Sequence, residues 1–313
     1  MRRLLALCTV LLLCAQPALA ADKLTVLLDW FVNPDHGPLI IAQERGYFSA
    51  AGLEVELVAP ADPNDPPKLV AAGRADIAIG YQPQLHLQVA AGLPLVRIGT
   101  LVSTPLNSLV VLADGPIKGI ADLKGRKVGF SVGGFEDALL TAMLARVRLK
   151  LDDITLVNVN FSLSPALLAG QVDAVIGAFR NFELNQMDLE GRPGRAFFLE
   201  EEGIPPYDEL IYLAHPDSLG RPELVRFLEA VERGALWIAN NPDAGFELFK
   251  KGRKELDDEL NKRAWRDTIG RFSHSPAALD HGRYARFARF LAEQKVITAA
   301  PAVSTYAVDL GAR

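Results

Sequence analysis

Cysteine is almost missing from this 313-residue chain: Cys8 and Cys14 are the two present, and none follows them. That absence excludes a disulfide framework or a Cys-ligated metal in the rest of the chain. Histidine is scarce too, and no second His or Cys stands at ligand spacing from His36, so no metal site is expected. Neither G-x-x-x-x-G-K-[ST] nor H-E-x-x-H occurs, and a Cys/His nucleophile pair is lacking. Phosphate-loop and hydrolase chemistry therefore lack their parts, and neither a catalytic residue nor a cofactor is expected. After position 20 no stretch approaches twenty uninterrupted apolar residues, which argues against a permanent helical span.

What is present begins with Arg2 and Arg3, an apolar stretch over 4–14 and Ala18-Leu19-Ala20, the pattern of a secretory leader over 1–20. The mature chain is then expected from Ala21. An exported, disulfide-free product fits a bacterial periplasm. Without the two leader arginines the balance is 31 basic to 38 acidic residues, a net charge of −7. That sign argues against nucleic acid, whose phosphates require basic neutralisation. A soluble monomer without stable membrane insertion is the expectation.

Short apolar runs alternate with helix-like stretches: LTVLL at 24, LEVELV at 53, DIAIG at 76, KVGFSV at 127, ITLVNVN at 154 and DAVIGAF at 173. This alternation predicts an α/β fold with parallel strands. Residues 71–81, AAGRADIAIGY, echo 168–179, LAGQVDAVIGAF, keeping G-x-x-D-x-x-x-G in both (Gly73, Asp76, Gly80; Gly170, Asp173, Gly177). Two related halves, or two common helix–strand junctions, produce such an echo. On the first reading lobe 1 comprises 21–111 and 207–313, lobe 2 comprises 112–206, and two crossings form a hinge. From Pro222 onward Leu224, Leu228, Val231 and Leu236 predict helices.

Ligands of open α/β sheets collect at the carboxyl ends of strands. Three such ends are rich in side chains that recognise small molecules. In LDWFVNPDHGP at 28–38, Trp30 offers a flat face and a donor, or an ordinary core indole. Asn33 offers both halves of an amide, or caps a turn before Pro34. Asp35 and His36 complete that stretch. Tyr81 and Gln82 follow the first echo; Phe179, Asn181 and Glu183 follow the second. Ser131, Gly133 and Gly134 lie between a strand and a helix, where backbone N–H groups can face an acceptor. Asp29 and Glu183 would repel an anion, whereas Arg180 would attract one unless it pairs with Glu183. The balance favours a planar nitrogen heterocycle.

In this order, the segment at 28–57, the GRADIAIGY and GQVDAVIGAF junctions, DLKGRKVGF at 122–130 and Asn181-Phe182-Glu183 resemble the NMT1/THI5-like substrate-binding proteins of bacterial ABC importers. The resemblance implies a type II periplasmic-binding fold closing on a thiamine-related aminopyrimidine or, alternatively, a riboflavin-like ligand. It also implies an ABC permease and its ATPase as partners. A sensing subunit would share these features. The group includes a fungal enzyme that builds the thiamine pyrimidine from its own histidine, and His86 resembles that residue. Gln82, however, stands where the resemblance places that enzyme's cofactor-binding lysine, and its cysteine motif has no equivalent here. A Schiff base needs an amine, so a binding protein rather than an enzyme is expected.

Overall fold

The computed structural model describes residues 21–311, and the expected leader with both cysteines lies outside the described residues. Ten strands form where the apolar runs fall: β1 (Asp22–Leu27), β2 (Leu53–Val58), β3 (Ile77–Gly80), β4 (Val96–Val102), β5 (Asn107–Leu112), β6 (Lys127–Phe130), β7 (Thr155–Asn158), β8 (Ala174–Phe179), β9 (Gly194–Phe198) and β10 (Leu210–Ala214). They build two five-stranded sheets, ordered β2-β1-β3-β10-β4 and β7-β6-β8-β5-β9. In each, the first three strands are parallel and the fourth runs antiparallel to both its neighbours. The two lobes thus share one plan, with β3 and β8 in equivalent places.

The sequence echo has a matching mechanism in both copies. Gly73 and Gly170 hold φ of 68° and 69°, the left-handed conformation that ends a helix and favours glycine. Asp76 then accepts the Thr25 N–H of β1 at 2.8 Å, and Asp173 accepts the Lys127 N–H of β6 at 2.9 Å. Each aspartate ties the incoming strand to its parallel neighbour in the sheet, β1 or β6. The echo is one structural device used twice.

One boundary differs from the sequence reading. β5 pairs with β8 and β9, so the chain leaves the first sheet at 103–106 and not at 111/112. Five of the six β5 residues are buried, and such a strand needs covered neighbours on both edges. The return crossing runs through 199–209. Glu209 ties the two crossings together: its Oε2 accepts the N–H groups of Leu106 and Asn107 at 2.6 and 2.9 Å, and the Tyr207 hydroxyl at 3.1 Å.

The C-terminal helices pack on the first lobe. Helix Pro222–Asn240 buries Leu224, Phe227, Leu228, Val231, Ala235 and Ile238 at spacings of three and four, an apolar stripe against helix Gly37–Glu44. Leu236 falls off that stripe and is 40% exposed. Among the described residues no helix is long and apolar enough to cross a membrane.

Candidate functional site

A narrow cleft lies between the lobes. The first lobe contributes Asp29, Trp30, Asn33, Asp35 and Tyr81; the second contributes Ser131, Val132, Phe135, Glu136, Leu163, Gly177, Phe179, Phe182 and Glu183. Four of these are carboxyls, five are aromatic, and none is Lys, Arg or His. Several contacts close the lobes over the cleft. Asn181 of the second lobe donates to Asp35 at 2.6 Å. Asn64 accepts from the Gly133 N–H at 3.0 Å and donates to the Ser131 carbonyl at 3.2 Å. Trp30 meets Phe161 edge-on with centroids 4.5 Å apart.

Seven sequence candidates converge here: Trp30, Asn33, Asp35, Tyr81, Ser131, Phe179 and Glu183. Trp30 is partly exposed at the end of the first strand, whereas Trp265 is buried and donates to the Pro242 carbonyl. Asn33 caps its own turn, accepting from the Asp35 N–H at 2.8 Å and donating to the Phe31 carbonyl at 3.1 Å. Tyr81 stacks on Phe135 at 5.0 Å and donates its hydroxyl to Asp29 at 2.9 Å.

Five candidates stand outside the lining, each for a physical reason. His36 is buried behind the wall: its Nδ1 accepts the Asn33 N–H, so its Nε2 carries the proton and donates to Asp29 at 2.9 Å. Gln82 accepts the Asp208 N–H and holds the return strand. Asn181 supports Asp35 from behind, also meeting Thr268 at 2.7 Å. The N–H groups of Gly133 and Gly134 are taken by Asn64 and Asp137, and those of Ser131 and Val132 by Glu136 Oε2, so this loop offers no free amide to a ligand. The expected Arg180–Glu183 pair is replaced. Arg180 pairs with Glu200 at 2.6 Å and lies over the Phe198 ring at 4.0 Å, which removes its charge from the cleft.

Residues 129–133, Gly-Phe-Ser-Val-Gly, spell G-x-S-x-G at a strand-to-helix turn, a pattern the sequence reading passed over. A nucleophilic serine needs an exposed hydroxyl and a basic partner. Ser131 is 1% exposed and spends its hydroxyl on the Asn160 carbonyl. His86 is likewise remote from the cleft. It is fully buried, stacks on Phe287 at 5.5 Å, meets Tyr306 at 5.0 Å, and burial lowers its pKa to about 3.

Sequence reasoning left Glu136 out, as well as Phe135, Leu163 and Phe182. Glu136 is 3% exposed, and its carboxyl lies against Gly177, whose φ is +94° and where an added Cβ would stand 2.4 Å from Oε1. Only glycine leaves that space in that conformation. Desolvation raises the pKa of Glu136 and Glu183 to about 8, that of Glu209 to about 7 and that of Asp35 to about 6. All four therefore hold protons in the folded state that the unfolded chain has already lost. Their effect on stability is fully favourable below about pH 4 and is lost as pH rises toward about 8. The ligand-free protein is expected to melt at a higher temperature at pH 5 than at pH 8; a melting temperature that rises over that interval would contradict the placement of these acids.

The sequence profile described as "NMT1/THI5 like" matches residues 33–245. A Haemophilus influenzae protein named, provisionally, for thiamine biosynthesis is 50% identical over 94% of this chain and 94% of its own length. A formylaminopyrimidine-binding protein of Halalkalibacterium halodurans is 32% identical, covering 77% of this chain and 74% of its own. A 4-amino-5-hydroxymethyl-2-methylpyrimidine phosphate synthase of Legionella pneumophila is 27% identical over 87% and 88%. Among solved structures, the alkanesulfonate-binding protein of Xanthomonas axonopodis superposes with a TM-score of 0.72 at 16% identity, over 93% of this chain and 99% of that one. The fold is that of the periplasmic-binding proteins, type II, with two α/β lobes.

Proposed function

The chain belongs to the NMT1/THI5-like family, and from that premise we propose that it is the solute-binding protein of an ABC importer, carrying a thiamine-related aminopyrimidine to its permease and ATPase outside the cytoplasm. The observation that carries this reading is the composition of the cleft: five aromatic rings and four carboxyls, with no cationic side chain in the lining. Aromatic walls suit a planar ring. Carboxyls suit amine and ring-nitrogen donors and disfavour a sulfonate or a phosphate. The relative named for binding formylaminopyrimidine supports the ligand class.

No chemistry on the ligand is assigned. The synthase relatives present the alternative, but two observations oppose it here. Gln82 is an amide that holds the Asp208 N–H, and His86 is sealed among Tyr284, Phe287 and Tyr306. Neither reaches the cleft lining.

A thermal-shift series with 4-amino-5-hydroxymethyl-2-methylpyrimidine, its formylamino analogue, riboflavin and methanesulfonate tests the proposal. Ligand at 100 times its Kd adds about 2.7 kcal/mol, a rise of several degrees at about 2–4 °C per kcal/mol. The pyrimidines are expected to shift the transition and to be recovered unchanged. No shift with either pyrimidine overturns the ligand; a chemically altered product overturns the binding role.

A further inference from the structure

Counting hydrogen bonds over the four cleft carboxyls separates Asp29, whose two oxygens are both taken, from Asp35, Glu136 and Glu183, whose side-chain bonds fall on one oxygen each. Asp29 gives one oxygen to His36 and the other to Tyr81. Asp35 gives Oδ1 to Asn181 and Thr268. Glu136 uses Oε2 for the Ser131 and Val132 N–H groups, and Glu183 uses Oε2 for that of Phe179, with its own backbone N–H as a further donor. Oδ2 of Asp35 and Oε1 of Glu136 take no part in these bonds, and both residues line the cleft.

Glu136 and Glu183 differ in their surroundings. Glu136 stands among Asp137, Glu209 and Tyr81, and burial together with the like charges raises its pKa. No cationic side chain lines the cleft beside it: Arg180 is held by Glu200, and Oε1 occupies the space that a Cβ on Gly177 would fill. Glu183 has Asp35 as its acidic neighbour. The ligand's amine gives one ionised carboxyl in this cleft a hydrogen-bond donor; a second ionised carboxyl would be left without one in a desolvated space, which is costly.

We propose that Glu136 works as a neutral carboxylic acid, its Oε2 accepting the two loop amides and its Oε1–H donating to an unprotonated ring nitrogen of the ligand, while Glu183 accepts from the ligand's amine. This rests on the proposed ligand class and adds the protonation state in which the site recognises it. The donor is carried by the protein, so a neutral heterocycle binds without first taking a proton from solvent. A neutral acid is the one carboxyl species that presents a donor and an acceptor together. The same arrangement rejects a phosphorylated pyrimidine, because no lining group supplies the compensating cation.

The test is a calorimetric titration of wild type and Glu136→Gln with 4-amino-5-hydroxymethyl-2-methylpyrimidine between about pH 6 and pH 9, beside melting curves of both ligand-free proteins over the same range. Wild-type affinity is expected to hold up to about pH 8 and then to fall by about tenfold per unit as the donor proton is lost. Glutamine keeps an acceptor and a donor at every pH, so the alkaline fall is expected to vanish in the variant. The melting temperature of Glu136→Gln should gain on wild type as pH rises through this range. A fall that survives in Glu136→Gln, or a wild-type affinity that stays flat to pH 9, overturns the neutral donor. Wild type that binds no pyrimidine at any pH overturns the ligand reading instead. In that case the melting comparison still decides the state of Glu136: a gap between the two proteins that does not change with pH overturns it.

Discussion

Glu183→Ala is expected to weaken aminopyrimidine binding by roughly ten- to hundredfold. The carboxyl lies in the cleft lining, 8% exposed, with Oε2 fixed by the Phe179 N–H at 2.7 Å. On the proposed reading this carboxyl accepts from a ligand amine. Leaving the ligand's buried amine unpaired costs about 1–3 kcal/mol, which brackets that span of affinity. Glu183→Gln retains an acceptor and most of the volume, so its loss should fall near the lower end. Titration of both variants, with melting curves to establish folding, checks the order. Deleting a carboxyl from an anion site has the opposite effect, relieving repulsion. Tighter sulfonate binding by Glu183→Ala, with unchanged aminopyrimidine affinity, would reverse the ligand class.

Trp30→Ala is expected to cost a comparable factor, about tenfold or more, because a buried aromatic anchor commonly contributes about 2 kcal/mol or more at the centre of a binding site. The indole is the one tryptophan in the cleft lining, and it joins the first lobe to Phe161 of the second. Trp30→Phe should keep part of the affinity and lose most of the ligand-induced change in tryptophan fluorescence. Replacing Trp237, which lies beneath the Arg45 guanidinium at 4.5 Å on a C-terminal helix, should leave that change in place. A fluorescence change that persists in Trp30→Phe would remove Trp30 from the ligand.

Trp30, Tyr81, Phe179 and Glu183 were legible in the sequence because they follow apolar runs directly, and strand ends in open α/β sheets are where ligands gather. The two-lobe plan was legible for a related reason. Gly73-x-x-Asp76 and Gly170-x-x-Asp173 encode local turn chemistry, and local chemistry survives in sequence. What failed depended on distant partners. Arg180 meets Glu200 and Phe198 across a strand pairing that no short window reveals. The loop amides at 131–134 looked free because one of their acceptors, Asn64, lies 69 residues away, and another, Glu136, turns back from the following helix.

Glu136 is the instructive omission. An acid in the first turn of a helix ordinarily reads as a solvated group favoured by the helix dipole. Its burial is set by Gly177, forty-one positions downstream, whose missing side chain makes the space. Gly177 of the second echo lies within β8, and its consequence for a carboxyl on another element does not show in the spacing of the echo. A glycine inside a strand that faces an acidic helix start is the signal that would have pointed there.

The measurement that bears most directly on the central claim is a calorimetric titration of protein refolded free of carried-over ligand with 4-amino-5-hydroxymethyl-2-methylpyrimidine, matched by one with methanesulfonate. The cleft of aromatic rings and carboxyls without a cationic side chain predicts saturable one-to-one binding of the pyrimidine and no detectable heat from the sulfonate. Saturable binding of the sulfonate, with none of the pyrimidine, would contradict it.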